Sequence, residues 1–119
     1  MVPTHLAQVA IVVEDLDRAR AFYRDVLGLP HLFDAPPGLA FFQCGETRLM
    51  LSRPEGPDTA GASILYYGVD DVEAAHRELL SKGVAFEEPP RKIAEVEGKP
   101  IHLAICRDSE GSLLGLISG

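Results

Sequence analysis

The chain is poor in several things whose absence narrows its function. Its 119 residues include only two cysteines, Cys44 and Cys106, too few for the disulfide framework of a small secreted protein, so both are expected to be free thiols. Positive charge is also scarce. With 11 Lys and Arg against 18 Asp and Glu, the formal net charge is -7, which would repel nucleic-acid phosphates over most of the surface, and no nucleic-acid partner is expected. No apolar run approaches the roughly 20 residues needed to cross a bilayer as a helix, so no membrane span is expected. The opening MVPTHLAQ has neither the basic flank nor the apolar stretch of a secretory signal, which makes the cytoplasm the expected compartment. Low-complexity tracts are missing. His5, His31 and His76 are scattered, without metal-ligand spacing, and are read as surface residues. The composition that remains, 46% hydrophobic and 24% charged, is that of an ordinary soluble protein, and the expected ligand is a small molecule.

What the sequence does contain is one pattern written twice. VEDLDRARAFYRDVLGL (Val13 to Leu29) returns as VDDVEAAHRELLSKGVAF (Val69 to Phe86). Each copy follows a short apolar run, AQVAIVV or ASILYYGV, whose length and β-branched content read as a strand. Asp15 and Asp71 stand at N-cap positions, with Asp17 and Glu73 in the first turns, where negative charge meets the free N–H groups of a helix. Leu16, Ala19, Phe22, Tyr23, Val26 and Leu27, then Val72, Ala75, Leu79 and Leu80, recur at helical spacing. Gly28 and Gly83 suit left-handed C-terminal positions. Two hairpins follow: LAFFQC and TRLMLS around Gly45-Glu46, and IHLAICR and SLLGLIS around Asp108-Ser109-Glu110-Gly111. The organisation expected is one domain over residues 1–119, with a first module at about 6–55, a polar connection at 55–61 and a second module at about 62–119. A module of ~55 residues has too little core to be comfortable alone. EEPPRKIAEVEGKP (Glu87 to Pro100), with its prolines and charges, reads as an exposed arm; if it serves as a lid, Arg91 and Lys92 would attract an anionic ligand.

The VxDLxxAxxFYxxxLGL pattern, its partner VDDVEAAHRELLSKG and the closing RDSEGSLLGL resemble the glyoxalase, bleomycin-resistance and extradiol dioxygenase superfamily, the vicinal oxygen chelate fold. The resemblance implies an α+β fold of two tandem βαβββ modules whose curled mixed sheet surrounds a cavity, commonly in a homodimer. It also implies four places for metal ligands: five residues before the Val of each repeated motif, in the TRLMLS run, and after the closing turn. Those places hold Gln8, Ile64, Met50 and Gly115. None is a carboxylate, imidazole or thiolate, and one amide oxygen cannot hold a metal ion that needs several ligands. No metal and no other cofactor is therefore expected, and with the metal would go the Lewis-acid chemistry that depends on it. His5, three residues before Gln8, is reversed in strand direction relative to that position.

Strand alternation gives the lining expected instead. Gln8, Ala10 and Val12 share a face, as do Ile64, Tyr66 and Gly68. Pairing across the hairpins adds Phe41, Gln43, Arg48, Met50 and Ser52 from the first module, and His102, Ala104, Cys106, Leu113, Gly115 and Ile117 from the second. This is a largely apolar lining suited to a hydrophobic or aromatic organic molecule, oriented by Gln8, Arg48, Tyr66 or His102. Arg48 either clamps a carboxylate or pairs with Glu46 or Glu95. Tyr23 is expected beneath the first helix with its hydroxyl near the surface, and Cys106 as a buried small apolar group. Two functions follow: a metal-independent binder of a small organic molecule, or a glyoxalase-like lyase or isomerase. The second would use His102 or Tyr66 for proton transfer, or an atypical metal site.

Overall fold

The computed structural model describes Met1, residues 6–54 and residues 64–118; His5 and the connection at 55–61 lie outside these. The chain divides into two compact units, Met1–Ala62 and Ser63–Gly119.

In the first unit the order is β1 (Gln8–Val12), α1 (Leu16–Ala21), a π-helical turn (Phe22–Val26), β2 (His31–Ala35), β3 (Leu39–Cys44) and β4 (Thr47–Ser52). Asp15 starts the helix as expected: its carboxylate accepts from the Arg18 N–H at 3.0 Å, satisfying a donor that has no partner within the helix. The regular helix is shorter than the periodicity predicts. The Leu27 N–H donates to the Phe22 carbonyl five residues back, so the second half winds as a wider π turn before Gly28, at φ +84°, ends it. Leu16, Ala19 and Tyr23 are buried. Tyr23 is only 2% exposed, deeper than the expected half-wet placement, and its ring lies 6.3 Å from that of Phe42.

The four strands form one sheet in the order β1-β4-β3-β2, with β1 parallel to β4 and the other pairs antiparallel. The two-residue loop at Gly45 sets the β3–β4 register, pairing Phe42 with Leu49 and Phe41 with Met50. Since directly opposed residues share a face, Ala40, Phe42, Leu49 and Leu51 lie together against α1, and all four are buried. Arg20 ties α1 to β2 through Asp34 at 3.2 Å, and Asp34 also meets His31 Nε2 at 2.9 Å. His31 hydrogen bonding, then Arg20, holds the Asp34 carboxyl below its ordinary range. His31 is half-buried with its ring on Phe42, so it is part of this packing and not the surface residue expected.

The second unit repeats the scheme with β5 (Leu65–Gly68), α2 (Val72–Ser81), β6 (Phe86–Val96), β7 (Lys99–Arg107) and β8 (Leu113–Ser118), in the sheet order β5-β8-β7-β6. Each unit is thus a βαβββ module, and the chain is α+β with two tandem copies. Asp71 caps α2 through the Ala74 N–H at 3.1 Å, and Gly83 follows at φ +85°. Val72 and Leu79 are buried, whereas Leu80 is 48% exposed and lies outside the packed face. His76 packs edge-on against Phe86 of β6 and is half-buried, again unlike the surface position expected.

Residues 87–100 differ most from expectation. They belong to a long β6–β7 hairpin, turned by Glu97 and Gly98, both at positive φ, as a two-residue primed turn requires. Pro89 and Pro90 are carried in β6 where the register shifts between Glu88 and Arg91, because an irregularity relieves the missing donors. The tip is exposed as foreseen. Arg91 and Lys92, however, are engaged by Glu88 and Glu95, so neither is the free cation proposed for an anionic ligand.

Candidate functional site

In the first module, the sheet face turned away from α1 is set by the register already described. Gln8 is opposite Arg48 and Ala10 opposite Met50 across β1–β4, while Gln43 and Phe41 pair with the same two residues from β3. Gln8, Phe41, Gln43, Arg48 and Met50 are therefore brought together. The Arg48 Nε–H donates to Gln8 Oε1 at 2.7 Å, and the guanidinium carbon stands 5.4 Å from the centre of the Phe41 ring, within cation–π range. Gln8 Nε2 reaches toward Met50 Sδ at 3.9 Å, and the Gln43 amide donates to the Gly45 carbonyl. Arg48 thus bonds neither Glu46 nor Glu95 in an ion pair; its partner is a neutral amide on the neighbouring strand.

Phe33 completes this face and was not foreseen. It is opposite Phe41 in β2–β3, the two rings are stacked with centres 4.5 Å apart, and Phe33 is 46% exposed. Its alternation along HLFDA is interrupted by a register shift between His31 and Phe33, which hides the signal from a period-two reading.

The second module corrects part of the expected lining. In β7–β8, His102 pairs with Ser118, Ala104 with Leu116, Ile105 with Gly115 and Cys106 with Leu114. His102, Ala104 and Cys106 accordingly share a face with Leu114 and Leu116, not with Leu113, Gly115 and Ile117. That face is the one α2 covers: Phe86 is opposite Cys106 and touches His76 of the helix. The cause is the loop. The Asp108 carboxylate accepts from the N–H groups of Glu110 and Ser112, each at 2.9 Å, and the Asp108 N–H donates to the Ser112 carbonyl. Five residues rather than four therefore separate the strands, and a one-residue slip reverses every side chain. Leu103 and Ile105 take the places expected of His102, Ala104 and Cys106.

His102 is half-buried. Cys106 is 1% exposed, and burial, with the Asp108 charge adding to it, pushes its thiol up to about 11. A neutral thiol at physiological pH is a packing group, not a nucleophile.

Tyr66 sits opposite Gly115 across β5–β8, on the face away from α2, and is 50% exposed. Its ring fills the space above the glycine: a Cβ on Gly115 would lie 2.3 Å from Tyr66 Cδ1 and 2.6 Å from Cε1. Tyr67, next in the strand, points to the other face by alternation. Ile64, just before β5, is 36% exposed.

These contacts test the four positions at which a metal was implied. Gln8 offers one oxygen, already accepting from a cation, and a divalent ion there would be repelled by Arg48. Met50 and Ile64 bring no hard donor. Gly115 brings no side chain, and its place is taken by a phenyl ring. This donor set does not fit a divalent metal. Among the described residues no cluster of three or more His, Cys, Asp or Glu could hold one elsewhere, and no helix is long and apolar enough to cross a membrane.

Comparison with known proteins agrees with this architecture. Mitochondrial methylmalonyl-CoA epimerase of Mus musculus is 30% identical over 127 residues, covering 93% of this chain and 71% of that protein. Among solved structures, TnmS3, an antibiotic binding protein from Streptomyces sp. CB03234, superposes with a TM-score of 0.83 at 25% identity, covering 99% of this chain and 98% of that one. Lactoylglutathione lyase from Agrobacterium tumefaciens gives a TM-score of 0.80, also at 25% identity, over 98% of this chain and 95% of that one. The family model described as Glyoxalase/Bleomycin resistance protein/Dioxygenase superfamily matches residues 5–116, and the chain belongs to that superfamily.

Proposed function

We propose that this protein is a metal-independent member of its superfamily that binds a small, hydrophobic or aromatic organic molecule on a helix-free sheet face. The observation that carries the reading is the filling of the metal positions by contacts incompatible with a metal: Gln8 bonded by Arg48, and Gly115 covered by Tyr66. The exposed aromatic surface of Phe33 and Tyr66 supplies the flat apolar contact such a ligand would use. Resemblance to an antibiotic binding protein supports affinity without turnover as the mode of action. The protein is proposed to act as a cytoplasmic homodimer.

A second reading, a lyase or isomerase, is favoured by the resemblance to methylmalonyl-CoA epimerase and lactoylglutathione lyase. Of the two proton-transfer candidates, Tyr66 has the better placement, because its half-exposed phenol is on the helix-free face whereas His102 is on the side of β7 shared with Cys106.

Thermal unfolding after chelation, with and without added Mn²⁺, Co²⁺ or Zn²⁺, separates a metal protein from a metal-independent one. An ion that binds only the folded state and is present at a hundredfold excess over its Kd would contribute about 2.7 kcal/mol and raise Tm by several degrees. No such rise is expected here. A saturable rise with one ion would overturn the metal-independent reading.

A further inference from the structure

We infer that the helix-free face of the first module is a site for a planar aromatic carboxylate, whose ring lies against Phe33 and whose carboxylate is held by Arg48. The inference rests on the binding function proposed above and names its ligand class.

Its first support is the state of Arg48. Arg20, Arg24, Arg91 and Arg107 are each paired with an Asp or Glu, while Arg18, Arg53 and Arg77, like Arg48, are in no ion pair among the described residues. Arg48 has no carboxylate within ion-pair distance among the described residues, although the chain carries seven more negative than positive charges. It is nonetheless held in place. Gln8 takes its Nε–H, and the Phe41 ring lies beside the guanidinium. These two contacts leave the terminal nitrogens to donate, in the side-by-side geometry that matches two carboxylate oxygens. A guanidinium fixed beforehand by neutral neighbours loses less freedom on binding than a mobile surface arginine.

The second support is where the cation sits. Phe41, beside Arg48, is stacked on Phe33, and half of Phe33 remains exposed. An aromatic surface adjoining an unpaired cation complements a molecule that has a flat apolar body and an anionic end. A neutral aromatic would leave the guanidinium unused, and a small inorganic anion would leave Phe33 uncovered.

Titration calorimetry with 2-naphthoate and its neutral analogue 2-naphthamide tests this directly. The wild-type protein is expected to bind the acid about tenfold or more tightly than the amide, the size of a charge-assisted hydrogen-bond contribution. In Arg48→Met, which keeps an apolar stem of similar length, that preference should vanish through weaker binding of the acid. Phe33→Ala should weaken both probes alike. Unchanged far-ultraviolet dichroism and a cooperative unfolding transition would show that each variant folds. Equal wild-type affinity for acid and amide, or a preference that survives Arg48→Met, would overturn the carboxylate assignment while leaving aromatic binding intact. Failure of both probes to bind would overturn the assignment together with the binding function on which it rests.

Discussion

Replacing Gly115 with alanine is expected to destabilise the protein by about 1–3 kcal/mol, the range for forcing an extra carbon into occupied space. The cost has a specific origin. An alanine Cβ would lie 2.3 Å from Tyr66 Cδ1 and 3.0 Å from Cγ. These atoms are near the root of the side chain, so the whole ring must rotate off the sheet. Tyr66 is half exposed and has somewhere to go, which keeps the cost below that of a clash in a sealed core. The expectation is sharpened by a double-mutant cycle. In a Tyr66→Ala background the same glycine substitution should be nearly neutral, or slightly stabilising, because a glycine inside a strand otherwise weakens it. Urea unfolding of the four proteins measures the coupling. An equal penalty in both backgrounds would show that Gly115 is required for its backbone and not for seating the ring.

Phe42→Ala should be costlier still, about 3–5 kcal/mol, as expected when a fully buried aromatic is truncated. Phe42 has no exposed surface; it packs beside Tyr23 under α1, and the His31 ring closes over it. Phe33, on the neighbouring strand β2, behaves differently because it faces the other side of the sheet and is 46% exposed. Phe33→Ala should cost about 1 kcal/mol or less of stability, the usual scale for a surface change, while reducing aromatic ligand binding. The two substitutions together separate the supporting face of the sheet from the proposed binding face. Similar stability losses from both would mean that Phe33 is a core residue and that the face has been misassigned.

Much of the fold was legible because the two helices are punctuated in the same way. Asp15 and Asp71 cap them, and Gly28 and Gly83 follow at nearly equal positive φ. In the first module the tight Gly45-Glu46 turn also fixed which residues share a face, so Gln8, Phe41, Gln43, Arg48 and Met50 meet as alternation and pairing imply. The second module was less legible for a single reason. DSEGS can close as a four- or a five-residue loop, and the choice is made by two hydrogen bonds to the Asp108 carboxylate. That difference moves His102 and Cys106 to the helix side and brings Leu103 and Ile105 to the other. Strand β6 was obscured by Pro89 and Pro90, which normally argue against a strand but are accommodated here by irregular pairing. The π turn at Phe22–Val26 leaves too faint a mark on apolar periodicity to be read beforehand.

For the proposed ligand face, the sequence supplies residue types but not their engagement. Arg48 is one of 11 basic residues, and nothing local to it says whether it will pair with an acid. Its distinction, a neutral glutamine at 2.7 Å and a phenyl ring beneath it, comes from three strands meeting in one register.

Native mass spectrometry of untagged protein, purified without chelator or added metal, bears most directly on the proposed metal-independent binding, since it reports bound ions, organic ligands and subunit number in one spectrum. The expected spectrum is that of a metal-free homodimer able to retain an added aromatic ligand. A stoichiometric divalent ion on the folded protein would contradict it, and would mean that Gln8, Met50, Ile64 and Gly115 do not mark the place where metal chemistry in this chain was lost.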